Sequence, residues 1–516
     1  MSFCEECGAK LSSNVRFCEE CGTPVTVYEQ NIDAAKDTDV SLLLTLFQNS
    51  NWADIFSSII SNSDDETGLI LTNLQLLARE LNVDQALLLN LVEEFISEKK
   101  QVGITYFLLD VSNNVVGKAK DVDSHVKLLQ KIAKIECPFY LFILGGNNII
   151  PTKIYEDKTG HDRDIASDLP YATLDTDSPW RRKKYNFENC MTVGRLPTFA
   201  NESFEEFKIY FENLKINLGN LNEIGISAKE WENTSNFWFN KISNKTVLTS
   251  PQLEKSNIHT CFDINKNLFY FNLHGAEDTD VCEWYGQENT YYPSVISPND
   301  FIKNEKPYIV GVEACYGARY INYKKNKSIL LTAISTKCLS FLGSSRIAYG
   351  ACFGEGSCAD IIIGTYLKNV KDGYSCGKSF TLARKELTKQ RNLDIVEIKT
   401  LLEFSLYGDP SYKCTQNSSK SFIQEKSIKS FHISLPDVLT EVRMEIAKVD
   451  EEIMSLVNKS VYTNYPEFNS VNPEILKDTS VDCFSATYKT KISNLNHILT
   501  AYFDKEGKIT KEYISK

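Results

Sequence analysis

The sequence predicts an α/β fold, a mainly parallel sheet covered on both faces by helices, with a small metal-held unit at the N-terminus and helical regions on its flanks. Three observations predict it. From about residue 101, apolar runs such as ITYFLLDV, PFYLFILGG, NLFYFNLHG, PYIVGVEAC and CLSFLGSSR alternate with amphipathic stretches such as HVKLLQKIAK and FEEFKIYFENL. Continuous apolar runs mark strands buried on both faces, and helices between them imply parallel crossovers. Cysteines crowd the first residues, and apolar residues recur at helical spacing before and after the alternating region.

The chain has 516 residues, room for about two to four domains. Hydrophobic residues make up 42% and charged residues 24%, the balance of a folded, soluble protein. The formal net charge of -12 gives no positive field for a phosphate backbone, so nucleic acid is not the expected partner. No stretch reaches the roughly 18 apolar residues of a membrane span, and the opening MSFCEECG is not a signal peptide. A cytoplasmic location is the expectation. Fifteen cysteines in such a chain are better explained by metal ligation, catalysis and reduced core thiols than by a disulfide framework.

Residues 1–25 contain Cys4, Cys7, Cys18 and Cys21, two Cys-x-x-Cys pairs each followed by glycine, Gly8 and Gly22. Two thiolates on each tight knuckle can face one Zn²⁺, and two knuckles close a tetrahedral structural site with no position left for hydrolysis. So short a unit lacks a core of its own, and zinc supplies the folding energy. Residues 26–39 read as a polar linker. Residues 40–100 read as a helical region, with SLLLTLF, LILTNLQLLAREL and ALLLNLVEEFISEK in helical period and Asn82 and Asp84 as turn and cap. The α/β domain spans residues 101–414. Residues 415–516 read as a helical accessory region, led by VLTEVRMEIAKVDEEIMSLVNK and ending in a polar tail.

Two strand ends carry the candidate chemistry. FYFNLHG ends on His274 followed by Gly275, whose missing side chain lets a substrate backbone approach. PYIVGVEAC ends on Cys315 about forty residues later, and successive strand ends of a parallel sheet lie side by side. An imidazole and a thiol then face one cleft, where the imidazole can take the thiol proton and the backbone N–H groups of Gly275 and Cys315 can hold an oxyanion. A free cysteine is also an ordinary small core residue. Of the remaining histidines, His125, His161, His259, His432 and His497, only His259 rivals His274, and it lacks both the glycine and the apolar strand.

His274-Gly275 followed by Glu313-Ala314-Cys315-Tyr316-Gly317 resembles the His-Gly and x-Ala-Cys-x-Gly signatures of the caspase, gingipain and clostripain clan of cysteine peptidases. LFILGGNNIIP, DLPYATLD, VGRLPT around Gly194 and Arg195, FLGSSRIAYG and LYGDPSY around Gly408 and Asp409 resemble the gingipain branch, in its order. The resemblance covers roughly residues 104–412. It implies a caspase/gingipain-like α/β/α sandwich with a His/Cys dyad, and an endopeptidase acting on a protein substrate. Prokaryotic relatives of the clan often belong to defence or regulated-death systems, so the resemblance extends that expectation here. Residues 1–25 likewise resemble the short zinc ribbons of many bacterial and archaeal proteins, which implies docking of a regulatory partner through the ribbon or the helical regions.

Glu313 lies two residues before Cys315 on the same face of the strand, where a carboxylate can pair with Arg or Lys of a substrate. Clan members that cut after basic residues often carry an aspartate at this place and the caspases proper a glutamine; Glu313 departs from both, and its carboxylate extends the resemblance to cleavage after basic residues. Ser344 and Ser345 lie in a stretch that resembles the family's segment pairing with an extended substrate, and Asp175 and Asp177 lie before VGRLP, where the resemblance implies acidic pocket residues. Lys303 and Lys306, in a long loop expected from about Glu283 to Lys306, are candidate self-processing points. GYSCGKS has three residues between its glycines where a phosphate loop needs four, and reads as a loop and helix start. The reading that competes with a peptidase is a non-catalytic scaffold of the same fold that binds a partner through its zinc ribbon.

Overall fold

The computed structural model describes residues 66–112, 121–134, 139–181, 185, 187, 190–262, 265–276, 280–301, 306–389, 392–414, 444–479, 481–493 and 495–516. Cys4, Cys7, Cys18 and Cys21, the linker and SLLLTLF lie outside the described residues. All described residues belong to one compact unit, Leu43–Lys516.

Its centre is a ten-stranded sheet. In chain order the strands are β1 (Glu66–Thr72), β2 (Ile104–Asp110), β3 (Tyr140–Leu144), β4 (Thr192–Leu196), β5 (Glu223–Ala228), β6 (Leu248–Ser250), β7 (Leu268–Asn272), β8 (Tyr308–Val312), β9 (Cys338–Ser344) and, after the two-residue β10 (Tyr349–Gly350), β11 (Phe404–Gly408). The spatial order is β2-β1-β3-β4-β11-β9-β8-β7-β5-β6. Every neighbouring pair is parallel except β9 with β11, so two parallel blocks meet at one antiparallel seam. The mainly parallel sheet expected from the apolar runs is present. LFYFN of β7 and YIVGV of β8 are buried at every position, as strands covered on both faces must be.

The stretch at 40–100 differs from its helical expectation where it is described. Helices Leu74–Glu80 and Gln85–Gln101 form, the second capped by Asp84, whose carboxylate accepts from the Ala86 amide at 2.7 Å. Asn82 turns the chain between them with φ 49°. Glu66–Thr72, however, is a fully buried strand pairing between β2 and β3. A short apolar run running straight into a helical pattern gives no period of its own, so the sequence merges the two.

Residues 415–516 differ more. Their described part contains one long helix, Glu451–Asn464, and five strands: β12 (Met444–Ile446), β13 (Glu474–Asp478), β14 (Cys483–Ile492), β15 (Leu495–Phe503) and β16 (Ile509–Ser515). These make an antiparallel sheet ordered β10-β16-β15-β14-β13-β12. Ala486, Tyr488, Leu499, Ala501 and Phe503 pack with Val457, Val461 and Phe468 of the helical segment in a separate core cluster. A sheet solvated on one face reads as a polar tail when each strand is short of apolar residues. Through β10, this sheet is stitched to the α/β domain.

Two buried ion networks fix the loops above the sheet. Arg195, fully buried, holds Asp168 at 2.7 Å and donates to the carbonyls of Gly145 and Ile150. Lys399, also fully buried, lies 2.9 Å from Asp157 and 2.6 Å from Asp162. The other Asp162 oxygen, Oδ1, accepts from the Tyr316 hydroxyl at 2.7 Å. Buried charges persist only when paired this closely.

Candidate active site

β7 and β8 run parallel in the register Phe271 to Val312, and the Glu313 amide donates to the Phe271 carbonyl at 2.9 Å. Three residues beyond that rung on each strand stand His274 and Cys315. The two segments touch at the backbone: a Cβ on Gly275 would lie 1.7 Å from the Cys315 carbonyl oxygen, so this position admits no other residue. Directly after Cys315 the chain turns at Tyr316, held in the left-handed region with φ 54°. The amide and carbonyl of the turn are tied down by Tyr316 N–H to Arg346 and Gly317 N–H to Ala314. A non-glycine residue in that region costs on the order of 1 kcal/mol, here offset by those bonds.

The His274 ring is buried beside Trp231 (4.2 Å between ring centres), His497 (5.2 Å) and Tyr292 (5.4 Å). Its Nε2 is 2.7 Å from Gln287 Oε1. The Gln287 amide nitrogen donates to the Asn289 carbonyl, which leaves its oxygen to accept, so Nε2 is the protonated nitrogen and Nδ1 holds the lone pair. Burial, then His497 and Lys516, depress the imidazole's pKa well below the ordinary value, so the ring is neutral. Burial pushes the Cys315 thiol well up, and its Sγ donates to the Ala348 carbonyl at 3.5 Å. Both groups are in their uncharged forms.

One oxygen sits between these strand ends. The Lys516 carbonyl accepts from the Cys315 amide at 3.1 Å and from the Gly275 amide at 3.4 Å. The strand that carries it, β16, pairs antiparallel with β10 through Tyr349–Ser515 and Gly350–Ile514, and the Lys516 amide donates to the Ala348 carbonyl at 2.9 Å. The Lys516 side chain is fully buried, with its ammonium 3.1 Å from Asp360, 3.8 Å from Glu313, 3.2 Å from the Ala351 carbonyl and 4.2 Å from the centre of a Trp231 ring. A Cβ on Gly350 would meet Lys516 Cε at 2.1 Å, so glycine leaves the side chain its room.

Glu313 lies in this pocket, fully buried, and Tyr270 donates to its Oε1 at 2.7 Å. Burial first, then the Asp360 carboxylate, raise its pKa well above the ordinary range, so it is a neutral acid. Asp360, which the sequence reading missed, is the carboxylate closest to the ammonium. It stands in the first turn of helix Cys358–Lys371, and its Oδ2 accepts from the amides of Ala351 and Ser357. The only trace of it in the sequence is the Ser-x-x-Asp capping pattern, which points to a helix start rather than to a pocket. Gln287 and Trp231 left no signal at all.

The remaining candidates lie elsewhere. Ser344 Oγ donates to the Arg346 carbonyl and Ser345 Oγ to the Ala166 carbonyl, while the backbone that pairs with β16 belongs to residues 348–350. Asp175 accepts from the Asp177 amide on the loop after helix Leu169–Thr173, and neither is among the residues around the Lys516 ammonium. His259 is exposed on the turn Ile258–Cys261. The stretch from Glu283 to Lys306 is not one loop: Trp284–Tyr285 pairs with His274–Gly275 and with Ser294–Ile296, and a helical turn spans Pro298–Phe301. Lys306 is exposed and Lys303 lies outside the described residues.

Residues 3–25 match the family model of the zinc-ribbon domain. No curated protein matches the sequence. Among solved structures, the chain is similar to the Arg-specific cysteine proteinase gingipain R, with 13% identity over 89% of this chain and 92% of that one and a TM-score of 0.47. The complex of pro- and mature domains of RgpB from Porphyromonas gingivalis gives 13% identity, 87% and 93% coverage and a TM-score of 0.48. A separase–securin complex of Saccharomyces cerevisiae gives 13% identity over 55% of this chain and 17% of that one, with a TM-score of 0.32. At these values the functional argument rests on the site itself. Among the described residues no helix is long and apolar enough to cross a membrane, and no group of three or more His, Cys, Asp or Glu is placed to hold a metal.

Proposed function

We propose that this protein is a cysteine peptidase that cuts protein chains after lysine, with Cys315 as nucleophile and His274 as its base. One observation carries the reading: the backbone amides of Gly275 and Cys315 converge on a single carbonyl oxygen at 3.4 and 3.1 Å, beside a thiol and a neutral imidazole. Two N–H donors aimed at one oxygen are what a tetrahedral oxyanion requires.

In this reading His274 Nδ1 takes the thiol proton as sulfur attacks the carbonyl carbon of the residue in the pocket. The negative charge goes to the carbonyl oxygen between the two amides, and the imidazolium then protonates the leaving amine. Water, deprotonated by the same nitrogen, releases the thioester as a free acid and restores the thiol. Gln287 fixes the ring by accepting from Nε2, so the reacting nitrogen keeps its lone pair. Asp360 selects the basic residue by charge, with Trp231 adding cation–π attraction and Glu313 lining the pocket as a neutral acid. Cys4, Cys7, Cys18 and Cys21 would hold one structural Zn²⁺ in the matched ribbon and dock a protein partner, outside the reaction.

A peptide-library cleavage assay on the full chain and on a chain ending at Ser515, each with Cys315→Ala and His274→Ala controls, tests this. Cleavage after lysine, lost by at least 10³-fold in both controls, is expected. Undiminished cleavage in Cys315→Ala overturns it. Absence of any cleavage by both forms supports the scaffold reading, which the burial of Cys315 favours.

A further inference from the structure

The segment in the cleft belongs to the chain itself. Resting on the lysine-specific reading above, we propose that the end of β16 is an intramolecular inhibitor, with Lys516 seated as the residue that precedes a cleaved bond and the edge Ala348–Gly350 as the surface that receives it. The arrangement has each part of a seated substrate residue. The Lys516 side chain is paired in an acidic pocket, its carbonyl oxygen takes both amides of Gly275 and Cys315, and its amide and Ser515 continue as an added strand on β10.

The rest of the C-terminal sheet holds this segment in place. β16 pairs with β15 from Ile509 to Ile514, and Ser515 Oγ accepts from the Ile498 amide at 3.0 Å and donates to the Asn496 carbonyl at 3.1 Å. Farther back, Lys511 reaches Asp394 at 2.7 Å and Tyr513 donates to the same carboxylate at 2.6 Å. A ligand tethered by so short a span competes at an effective concentration of about millimolar or more. A substrate therefore has to displace Ile514, Ser515 and Lys516 from the edge Ala348–Gly350, while the pairing of β16 with β15 behind them, from Ile509 to Tyr513, can stay in place. With Lys516 seated, Cys315 is 4% and His274 3% exposed.

Three forms of the full chain test it: the 516-residue protein, the same protein lacking Lys516, and Lys516→Met, which keeps the length and removes the charge. Iodoacetamide labelling is read by mass spectrometry at the peptide bearing Cys315, and cleavage is read with a fluorogenic lysyl peptide, after thermal melting has shown each form folded. Labelling at least 10-fold faster without Lys516, with Lys516→Met between the two, is expected. Equal labelling in all three overturns the inhibitor, whether or not the peptide is cut. Faster labelling with no cleavage of lysyl or arginyl peptides leaves the docked tail standing and removes the peptidase reading.

Discussion

The Asp360 carboxylate and the Lys516 ammonium stand 3.1 Å apart with both side chains fully buried. They come from the first turn of a helix in the α/β domain and from the far end of the accessory sheet, and nothing in their sequence separation of more than 150 residues joins them. A buried ion pair of this kind forms only where both charges lose their water together, which is how a specificity pocket recognises its residue.

Charge in that pocket should reside on Asp360. Asp360→Asn is expected to lower kcat/KM for lysyl peptides by about 10²-fold, mostly in KM, because it leaves an ammonium buried without a counter-charge. Glu313→Gln should stay within about threefold, since it exchanges a neutral acid for a neutral amide that still accepts from Tyr270. Steady-state kinetics on a chain ending at Ser515 measures both, and the reverse order of effects would move the charge to Glu313.

Gly275→Ala places a methyl group where the Cys315 carbonyl lies, at 1.7 Å. The two strand ends must part, and the shared oxygen loses one donor. A fall in kcat of about 10²–10³-fold is expected, the usual loss of one oxyanion donor, with iodoacetamide labelling of Cys315 retained. Unchanged turnover would show that the Gly275 amide does not serve the reaction.

A short tag appended after Lys516 would place a peptide bond at the seated carbonyl. The wild-type chain is expected to shed the tag in cis, at a rate independent of protein concentration, and Cys315→Ala to keep it. Intact mass measured over time and over a dilution series checks this; loss of the tag in Cys315→Ala would assign the cut to another enzyme.

His497 is buried with neither ring nitrogen hydrogen-bonded, and burial pushes its pKa down to about 4. The unfolded chain takes up that proton from about pH 6.5, so between those values it binds more protons and stability falls as pH falls. His497→Phe removes this loss and should gain about 2 kcal/mol relative to wild type on going from pH 7 to pH 5. Urea unfolding at the two pH values measures the difference, and a constant difference would mean that the imidazole is not neutral in the folded chain.

Lys399→Met leaves Asp157 and Asp162 buried without their shared cation, at an expected loss of about 3–5 kcal/mol. Because Asp162 also bonds the Ile347 amide and the Tyr316 hydroxyl, activity should fall with stability. Chemical denaturation beside the lysyl-peptide assay reads both.

Much of the sheet was legible because local pattern carries it. LFYF at the start of β7 and YIVGV before Cys315 are apolar at every position, and a strand buried on both faces needs no partner to declare itself. Their adjacency followed from the topology of parallel strands. Glu66–Thr72 and the five C-terminal strands escaped because their identity depends on what covers them: the first is too short to show a period, and CFSATYKTKI alternates with polar residues that suit solvent as well as they suit a sheet.

By itself the sequence determined the α/β class, the zinc-ligand spacing of Cys4, Cys7, Cys18 and Cys21, and the pairing of His274 with Cys315 as candidates, since each depends on residues near one another in the chain or on a repeated local rule. Tertiary structure alone decided what stands in the cleft. Asp360, Trp231, Gln287 and Lys516 come from four separate elements, and their meeting depends on an accessory sheet adding its last strand to the edge at Ala348–Gly350. Electrostatic pairing in a dry pocket is a property of distance and burial, which no residue carries in its identity.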